Sequence, residues 1–244
     1  YGLYDGNYAD LFLEANEKCR EMIFSIQYIS QKGFGNALSY IYGNVETVSK
    51  GNDQFVVTTD FADSYQNRNG KPFSWDDIFP GYNNLSPQAR SAYFLRDGLN
   101  DAEIISLKEY GADMSLYLPS GNEARLKTAY AQRDPRLAAT VILPYSTYVG
   151  GSTGAALTYT SRYPYRKDTA PELDLQTRYT TRMYYWMRKF VARGTEYQAS
   201  EYTGIDMPVF RYADVLLCLA EALNEQGRTG EAIAYVNKVR DRAG

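Results

Sequence analysis

The sequence predicts a mainly α-helical fold with long irregular loops and a few short β-strands. Between residues 209 and 223, apolar side chains recur at spacings of four and three, which places them on one face of a helix. Helical patterns also cover about 86–110 and 121–132, whereas the stretches that alternate at strand period are short. The segments between them are rich in Gly, Asn, Ser and Pro, a composition typical of loops.

The clearest predicted element is a helical hairpin over residues 207–244. Pro208 falls at a favoured first helical position and Gly227 ends the first helix. Thr229 is expected to cap the second helix, with Glu231 in its first turn, where the helix dipole favours a carboxylate. The residues expected to face inward are Val209, Ala213, Leu216, Ala220 and Leu223, then Ala232, Ile233, Val236 and Val239. The pair is similar to one tetratricopeptide unit, although no second copy follows at a period of about 34 residues.

The other predicted elements are shorter. In chain order they are a helix at 8–17, a half-buried strand at 22–28, a loop at 30–54, a helical turn at 61–65, a turn at 69–72, a buried strand at 141–143 and a strand at 181–191. Ser86 as N-cap and Pro87 at the first helical position begin the pattern near residue 86. Residues 73–87 combine aromatics with Pro, Gly and Asn and predict an irregular surface loop, as does the aliphatic-poor stretch 145–182.

Composition excludes several classes of function. There are 26 Lys and Arg against 29 Asp and Glu, a net charge of −3 with the signs interspersed, so no basic stripe is present for nucleic acid or an anionic membrane. Histidine is absent, which removes Ser-His-Asp, Cys-His and zinc-protease chemistry. Cys19 and Cys218 lie far apart, and Cys218 is expected to be buried in its helix. No apolar stretch approaches the roughly 20 residues that span a bilayer.

No motif indicates catalysis or a cofactor. A glycosidase needs two carboxylates at a set separation, whereas Asp76 and Asp77 are adjacent. The Gly33-Phe34-Gly35 segment lacks the third glycine of a dinucleotide fingerprint. We interpret the RDPR segment at residues 133–136 as a structural ion pair and turn. No metal or cofactor site is therefore predicted, although distant carboxylates could still converge in the fold.

Several blocks of the chain resemble, in order, the SusD/RagB family of Bacteroidetes. They are YADLFLEANEKCREMIFSIQY, DSYQNRNGKP, RDPRLAATVI, RKFV and PVFRYADVLLCLAEALNEQGRTGEAIAYVNKVRDRAG, and the last is the most specific. The resemblance implies a tetratricopeptide-like helical scaffold that residues 207–244 complete and a loop-rich, ligand-facing region at 60–190. It also implies that residues 1–244 are the C-terminal part of the domain, which agrees with a chain that opens on Tyr1 without a methionine or signal sequence.

The resemblance also implies a function and partners. Such proteins capture glycans or other nutrients at the outer membrane, catalyse no reaction, and deliver the ligand to a SusC-like TonB-dependent transporter. Membrane attachment would come from a lipidated N-terminus that is missing from this chain. Two alternatives remain open from the sequence: a helical-repeat adaptor that binds only protein, and a carboxylate-based glycoside hydrolase.

The matching blocks are scaffold blocks, so the ligand-binding candidates come from residue chemistry. The chain has 24 Tyr against 10 Phe and 2 Trp, and tyrosine joins a flat apolar face to a polar tip that suits an uncharged sugar. The candidates are aromatics expected to be exposed in loops: Trp75, Tyr82, Tyr145, Tyr148, Tyr163 and Tyr165. Charged residues that border the second loop are Arg162, Arg166, Lys167 and Asp168.

Overall fold

The computed structural model describes residues 1–31, 33–43, 55–150, 156–166, 173–175, 185–192 and 203–244. Its α-helices are α1 (Leu38–Tyr42), α2 (Thr59–Ser64), α3 (Pro87–Arg90), α4 (Asp101–Tyr110), α5 (Asn122–Ala131), α6 (Pro135–Thr140), α7 (Tyr212–Glu225) and α8 (Thr229–Ala243). Its strands are β1 (Met22–Ile26), β2 (Val141–Ile142), β3 (Thr147–Gly150), β4 (Leu157–Thr160), β5 (Leu173–Asp174), β6 (Trp186–Met187) and β7 (Met207–Arg211). The prediction of a mainly helical fold with a few short strands is confirmed.

The C-terminal hairpin of α7 and α8 is the most regular part of this fold. Ala213, Leu216, Ala220 and Leu223 of α7 are buried in the two clusters that join it to α8, as their spacing predicts. Gly227 has a positive φ of 76° just after α7 ends, a conformation that glycine adopts without steric cost.

Both helices of the hairpin begin differently from the prediction. Pro208 and Val209 belong to β7, and α7 starts only at Tyr212. Proline is tolerated there because β7 pairs with β1 in a two-stranded sheet, where each strand is an edge. Thr229 is the first residue of α8 rather than its cap, and its hydroxyl donates to the side chain of Asn224.

The hairpin carries apolar side chains that no described residue covers. Cys218 is exposed rather than buried, and Ile233 of α8 is 53% exposed although its spacing predicted an inward position. Val215 and Leu219 are 47% and 40% exposed and lie on the same side of α7 as Cys218, since residues three and four apart are neighbours on a helix. We call Val215, Cys218 and Leu219 the outer stripe of α7.

The N-terminal segment is tied to the hairpin through one carboxylate. The predicted helix at 8–17 is two short 3-10 helices, after which the predicted strand forms as β1 and pairs antiparallel with β7. Glu21 is fully buried and accepts hydrogen bonds from Arg211 at 3.1 Å, from Arg242, and from the backbone N–H of Tyr4 at 2.8 Å. Three parts of the chain that are distant in sequence therefore meet at this group, and loss of any partner would leave a buried charge incompletely compensated.

Residues between 145 and 182 contain more regular structure than predicted. β3 pairs antiparallel with β4, and β4 pairs parallel with β5, so the prediction of loops alone is wrong. Tyr148 and Tyr159 face each other across β3 and β4, and both are buried. Aromatic rings supply the apolar area here that the stretch lacks in aliphatic side chains.

Two further predictions concern short elements around this sheet. The buried strand predicted at 141–143 is present as β2, which pairs with β6. Of the strand predicted at 181–191, residues 181–184 lie outside the described residues, and within 185–191 only Trp186–Met187 forms a strand, so the predicted strand is too long.

The RDPR turn has a structural role, as its composition indicates. Asp134 caps α6 by accepting from the backbone N–H of Arg136 at 2.9 Å, and it also pairs with that residue's guanidinium. Arg133 is 2% exposed and donates to the backbone carbonyls of Ala62 and Tyr65, both at 2.8 Å. The turn therefore joins α6 to the chain that follows α2.

Two kinds of feature are absent from the part of the chain that the structure describes. None of the helices is both long and apolar enough to cross a membrane. Nor does any group of three or more Cys, Asp or Glu side chains in these ranges come together in a way that could hold a metal ion.

Candidate ligand-binding site

Trp75 and Tyr82 lie in an aromatic core rather than on a surface loop. Two 3-10 helices, Trp75–Asp77 and Tyr82–Asn84, turn both rings inward beside Phe79. The rings of Trp75 and Phe79 are parallel with centroids 5.9 Å apart, and Phe79 stacks on Tyr93 at 4.1 Å. The indole N–H of Trp75 donates to Asp63 at 3.1 Å.

The burial of these two rings corrects the expectation that they are exposed. Trp75 is 4% exposed and Tyr82 is 5% exposed, because packing several large rings together removes more apolar area from water than a solvated loop would. Burial also raises the pKa of Tyr82 to about 12, so its phenol stays neutral. Neither ring presents a free face to a ligand.

Tyr145 and Tyr148 are also buried, at 2% and 1% exposure. The hydroxyl of Tyr145 donates to the backbone carbonyl of Phe94, and that of Tyr148 donates to the carbonyl of Ala192 at 2.8 Å. A buried hydroxyl needs such a partner, and both tyrosines use theirs to connect elements of the fold. The expectation of exposure is therefore wrong for these two rings as well.

Tyr163 and Tyr165 are the two candidates that remain half-buried. They lie in residues 161–166, which we call the tyrosine segment, and which follows β4 directly. The ring of Tyr163 packs against a small cluster formed by residues of the 92–117 region. Its members are Ala92, Leu95, Leu107, Ala112 and Tyr117. One side of Tyr163 is thus supported by the core while the rest of the ring reaches the surface.

The backbone of the tyrosine segment is held by Arg96. Its backbone N–H donates to the carbonyl of Tyr163 at 2.6 Å, and its Nε donates to the carbonyl of Pro164 at 3.0 Å. Arg96 is itself 7% exposed and is fixed by hydrogen bonds of 2.6 and 2.8 Å to the carboxylate of Glu103. Both of these bonds come from Nη2, while Nη1 donates to the carbonyls of Asp97 and Gly98, so all three nitrogens of the guanidinium are bonded and hold it in one orientation.

Buried ion pairs hold the segment on either side of Tyr163. Arg162 donates to Glu123 at 3.3 Å and to Asp174 at 3.0 Å, and Arg166 donates to Asp174 at 3.0 and 2.7 Å. Burial alone would raise the pKa of Asp174, but the hydrogen bonds from Arg166 and Arg162 outweigh it and lower the pKa. The carboxylate is therefore charged at neutral pH and anchors both arginines.

Arg162 and Arg166, two of the charged residues that border the second predicted loop, thus hold the scaffold. Lys167 and Asp168, the other two charged residues of that group, lie outside the described residues. Sequence reasoning missed Arg96, Glu123 and Asp174, because their partners in the tyrosine segment are 8 to 68 positions away and no local pattern marks them.

The arrangement suits binding better than catalysis. Two half-buried tyrosines sit on a backbone that is already ordered, and such a surface loses little conformational entropy when it takes up a ligand. Asp76, one of the paired carboxylates considered for catalysis, accepts hydrogen bonds from the backbone and side chain of Asn83. Its contacts therefore stabilise the turn between the two 3-10 helices.

The described residues form a helix-rich scaffold with short strands and an anchored tyrosine segment. The antiparallel hairpin of α7 and α8 lies at its C-terminal end. The sequence model of the SusD family matches residues 20–244. The chain is therefore a member of the SusD family.

A solved structure supports the same fold. The whole chain aligns with a SusD-like protein from Bacteroides fragilis NCTC 9343 at a TM-score of 0.57 and 19% identity, covering 40% of that chain. It also aligns over its full length with surface glycan-binding protein A from Bacteroides thetaiotaomicron, at a TM-score of 0.42 and 17% identity, covering 39% of that chain. The chain therefore spans less than half the length of either structure. No curated protein matches it.

Proposed function

We propose that the chain is the C-terminal part of a cell-surface protein that binds oligosaccharides without catalysing a reaction on them. The observation that carries this proposal is the tyrosine segment, in which Tyr163 and Tyr165 are half-exposed on a backbone fixed by Arg96 and Asp174. A tyrosine ring stacks on the apolar face of a sugar, and its hydroxyl bonds sugar hydroxyl groups.

The proposal extends to the partners of the protein. Membership of the SusD family supports delivery of the bound glycan to a SusC-like TonB-dependent transporter in the outer membrane. Attachment to that membrane would come from a lipidated N-terminus outside this chain. Copurification of such a transporter with the protein from detergent-solubilised outer membranes tests this part of the proposal, and its repeated absence would contradict it.

The proposal also covers the place of this chain in the domain. We assign residues 207–244 to the end of a helical scaffold that begins in the N-terminal half, and residues 60–190 to the ligand-facing region. The exposed outer stripe of α7 supports the first assignment, because exposed apolar stripes on a helix usually pack against another element. The 40% coverage of the SusD-like structure is consistent with a larger whole.

A helical-repeat adaptor that binds only protein is the second candidate function. The outer stripe of α7 favours it, since an apolar helix face can dock a protein helix. The two functions differ in whether the protein binds sugar at all.

The deciding experiment is binding of the protein, produced at its full natural length, to an array of neutral and acidic oligosaccharides. We expect selective binding without release of sugar products. Replacing Tyr163 with alanine should weaken the affinity for the best-bound glycan roughly fivefold, because a stacked ring contributes on the order of 1 kcal/mol.

The matched control is Phe61→Ala, which removes an aromatic ring that is 47% exposed on α2. Its affinity should stay at the wild-type value, and thermal unfolding should show that both variants are folded. Wild-type protein that binds no sugar would contradict the proposed function and favour the adaptor. Release of sugar products would instead favour a glycoside hydrolase.

A further inference from the structure

Tyr110 is an exposed aromatic residue that no pattern in the sequence singles out. It is the last residue of α4 and is 62% exposed. The residues on either side of it are buried. Leu107, one turn earlier, and Ala112, two residues later, both belong to the cluster against which Tyr163 packs. Tyr110 therefore projects from the same small body that supports the tyrosine segment.

The backbone around Tyr110 is locked by the way α4 ends. Gly111 has a φ of 104°, and its N–H donates to the carbonyl of Lys108 at 3.0 Å. The N–H of Ala112 donates to the carbonyl of Leu107 at 2.9 Å, which completes a Schellman motif with its usual apolar contact. The next residue is also held in place, because the N–H of Asp113 donates a hydrogen bond to a backbone carbonyl of α3 at 3.2 Å.

Close packing restricts this helix end further. A Cβ atom added at Gly111 would lie 3.2 Å from the Cβ of Gln88 in α3. The turn therefore fits against α3 with little space, and the Tyr110 side chain starts from a fixed position. A ring attached to a backbone that is already held in this way binds a ligand with little loss of backbone entropy.

Tyr110 also lies near the tyrosine segment in space. Leu107 and Ala112, on either side of Tyr110, belong to the cluster against which Tyr163 packs, and the phenol of Tyr110 adds to the effect of burial in raising the pKa of Tyr163. Tyr163 is half-buried against this cluster, and Tyr110 is exposed at its edge. The two tyrosines come from separate elements, α4 and the tyrosine segment, and the backbone of each is held by hydrogen bonds.

We infer that Tyr110 and Tyr163 together form a binding surface for an uncharged oligosaccharide of at least two sugar units, with Tyr110 contacting a unit next to the one held by Tyr163. This inference rests on the proposed function and adds to it a residue and a minimum ligand length. Because each ring takes one unit, a monosaccharide gains from only one of them, whereas an oligosaccharide gains from both.

The test uses the full-length protein and the best neutral oligosaccharide found on the array, titrated by calorimetry beside its own monosaccharide. Tyr110→Ala should weaken the oligosaccharide affinity roughly threefold to tenfold and leave the monosaccharide affinity unchanged. Tyr110→Phe, which keeps the ring, should retain most of the affinity. Phe61→Ala is the control, and thermal unfolding of each variant checks that the fold is intact.

The outcomes separate this inference from the proposed function. If the wild type binds an oligosaccharide and Tyr110→Ala binds it equally well, the inference is wrong while glycan binding stands. The inference is also wrong if Tyr110→Ala weakens the monosaccharide and oligosaccharide to the same extent. If the wild type binds no sugar on the array, the proposed function fails and the inference falls with it.

Discussion

The aromatic core around Trp75 and the tyrosine segment around Tyr163 have similar sequences and different environments. Both combine aromatic residues with Pro and polar residues in short stretches that do not form a long helix or strand. In the first stretch the rings are buried against one another, whereas in the second they are half-exposed on an anchored backbone. Composition alone therefore does not separate a core from a binding surface.

What separates the two regions is the spacing of the rings and the chemistry between them. Trp75, Phe79 and Tyr82 are four and three positions apart, so short helical turns bring them to one side. In the tyrosine segment, Tyr163 and Tyr165 are two positions apart and alternate with Arg162, Pro164 and Arg166. The arginines fix the backbone through carboxylates elsewhere in the chain, and the two rings stay half-exposed.

The largest expected effect comes from removing the central ring of the aromatic core. Trp75→Ala should lower the free energy of unfolding by about 3–5 kcal/mol, because it leaves a cavity and removes ring contacts with Phe79 and Tyr130. Urea unfolding of the full-length protein measures this change. Trp75→Phe, which fills part of the cavity, should cost less.

The exposed ring of Tyr110 provides the matched comparison for Trp75. Tyr110→Ala should change the free energy of unfolding by less than about 0.5 kcal/mol. A large loss of stability in Tyr110→Ala, or a small loss in Trp75→Ala, would remove the distinction between core and surface rings.

The sequence was sufficient for part of the regular structure and insufficient for the site. The apolar spacing of α7, the N-cap at Ser86 and the structural RDPR turn follow from local patterns, and the structure has all three. Four of the six candidate rings are buried, because burial depends on contacts such as that between Tyr148 and Ala192 that no local pattern reports. Within residues 75–82, the helical spacing of Trp75, Phe79 and Tyr82 would have indicated that the three rings lie on one inward-facing side.

The next prediction tests whether the residues that anchor the tyrosine segment support glycan binding by ordering its backbone rather than by contacting the glycan. Asp174→Asn should lower the free energy of unfolding by about 2–3 kcal/mol, because the Asp174 side chain is fully buried and would no longer neutralise Arg162 and Arg166. It should also weaken glycan binding, since the backbone of Tyr163 would lose part of its support. Calorimetric titration beside urea unfolding separates the two effects.

A control for Asp174 is available in the network around Arg228 and Glu231, whose side chains are 51% and 58% exposed. Glu231→Gln breaks an ion pair of similar geometry on the surface and should leave the urea midpoint of unfolding close to the wild-type value, because solvent screens an exposed pair. Glycan affinity in this variant should equal that of the wild type. If Asp174→Asn retains full glycan affinity in the folded protein, the tyrosine segment does not depend on its anchors.

The smallest expected effect is a difference in alkaline stability between the two regions. Burial raises the pKa of Tyr82 to about 12, whereas an unfolded tyrosine ionises near pH 10. Between pH 10 and 12 the unfolded chain therefore loses a proton that the folded chain retains, so stability falls as the pH rises, by on the order of 1 kcal/mol per pH unit. Tyr82→Phe should make this fall less steep, while Tyr163→Phe should change it less because that ring is half-exposed. Urea midpoints at pH 8, 10 and 11 measure the slopes, and equal slopes in the two variants would mean that both phenols are similarly buried.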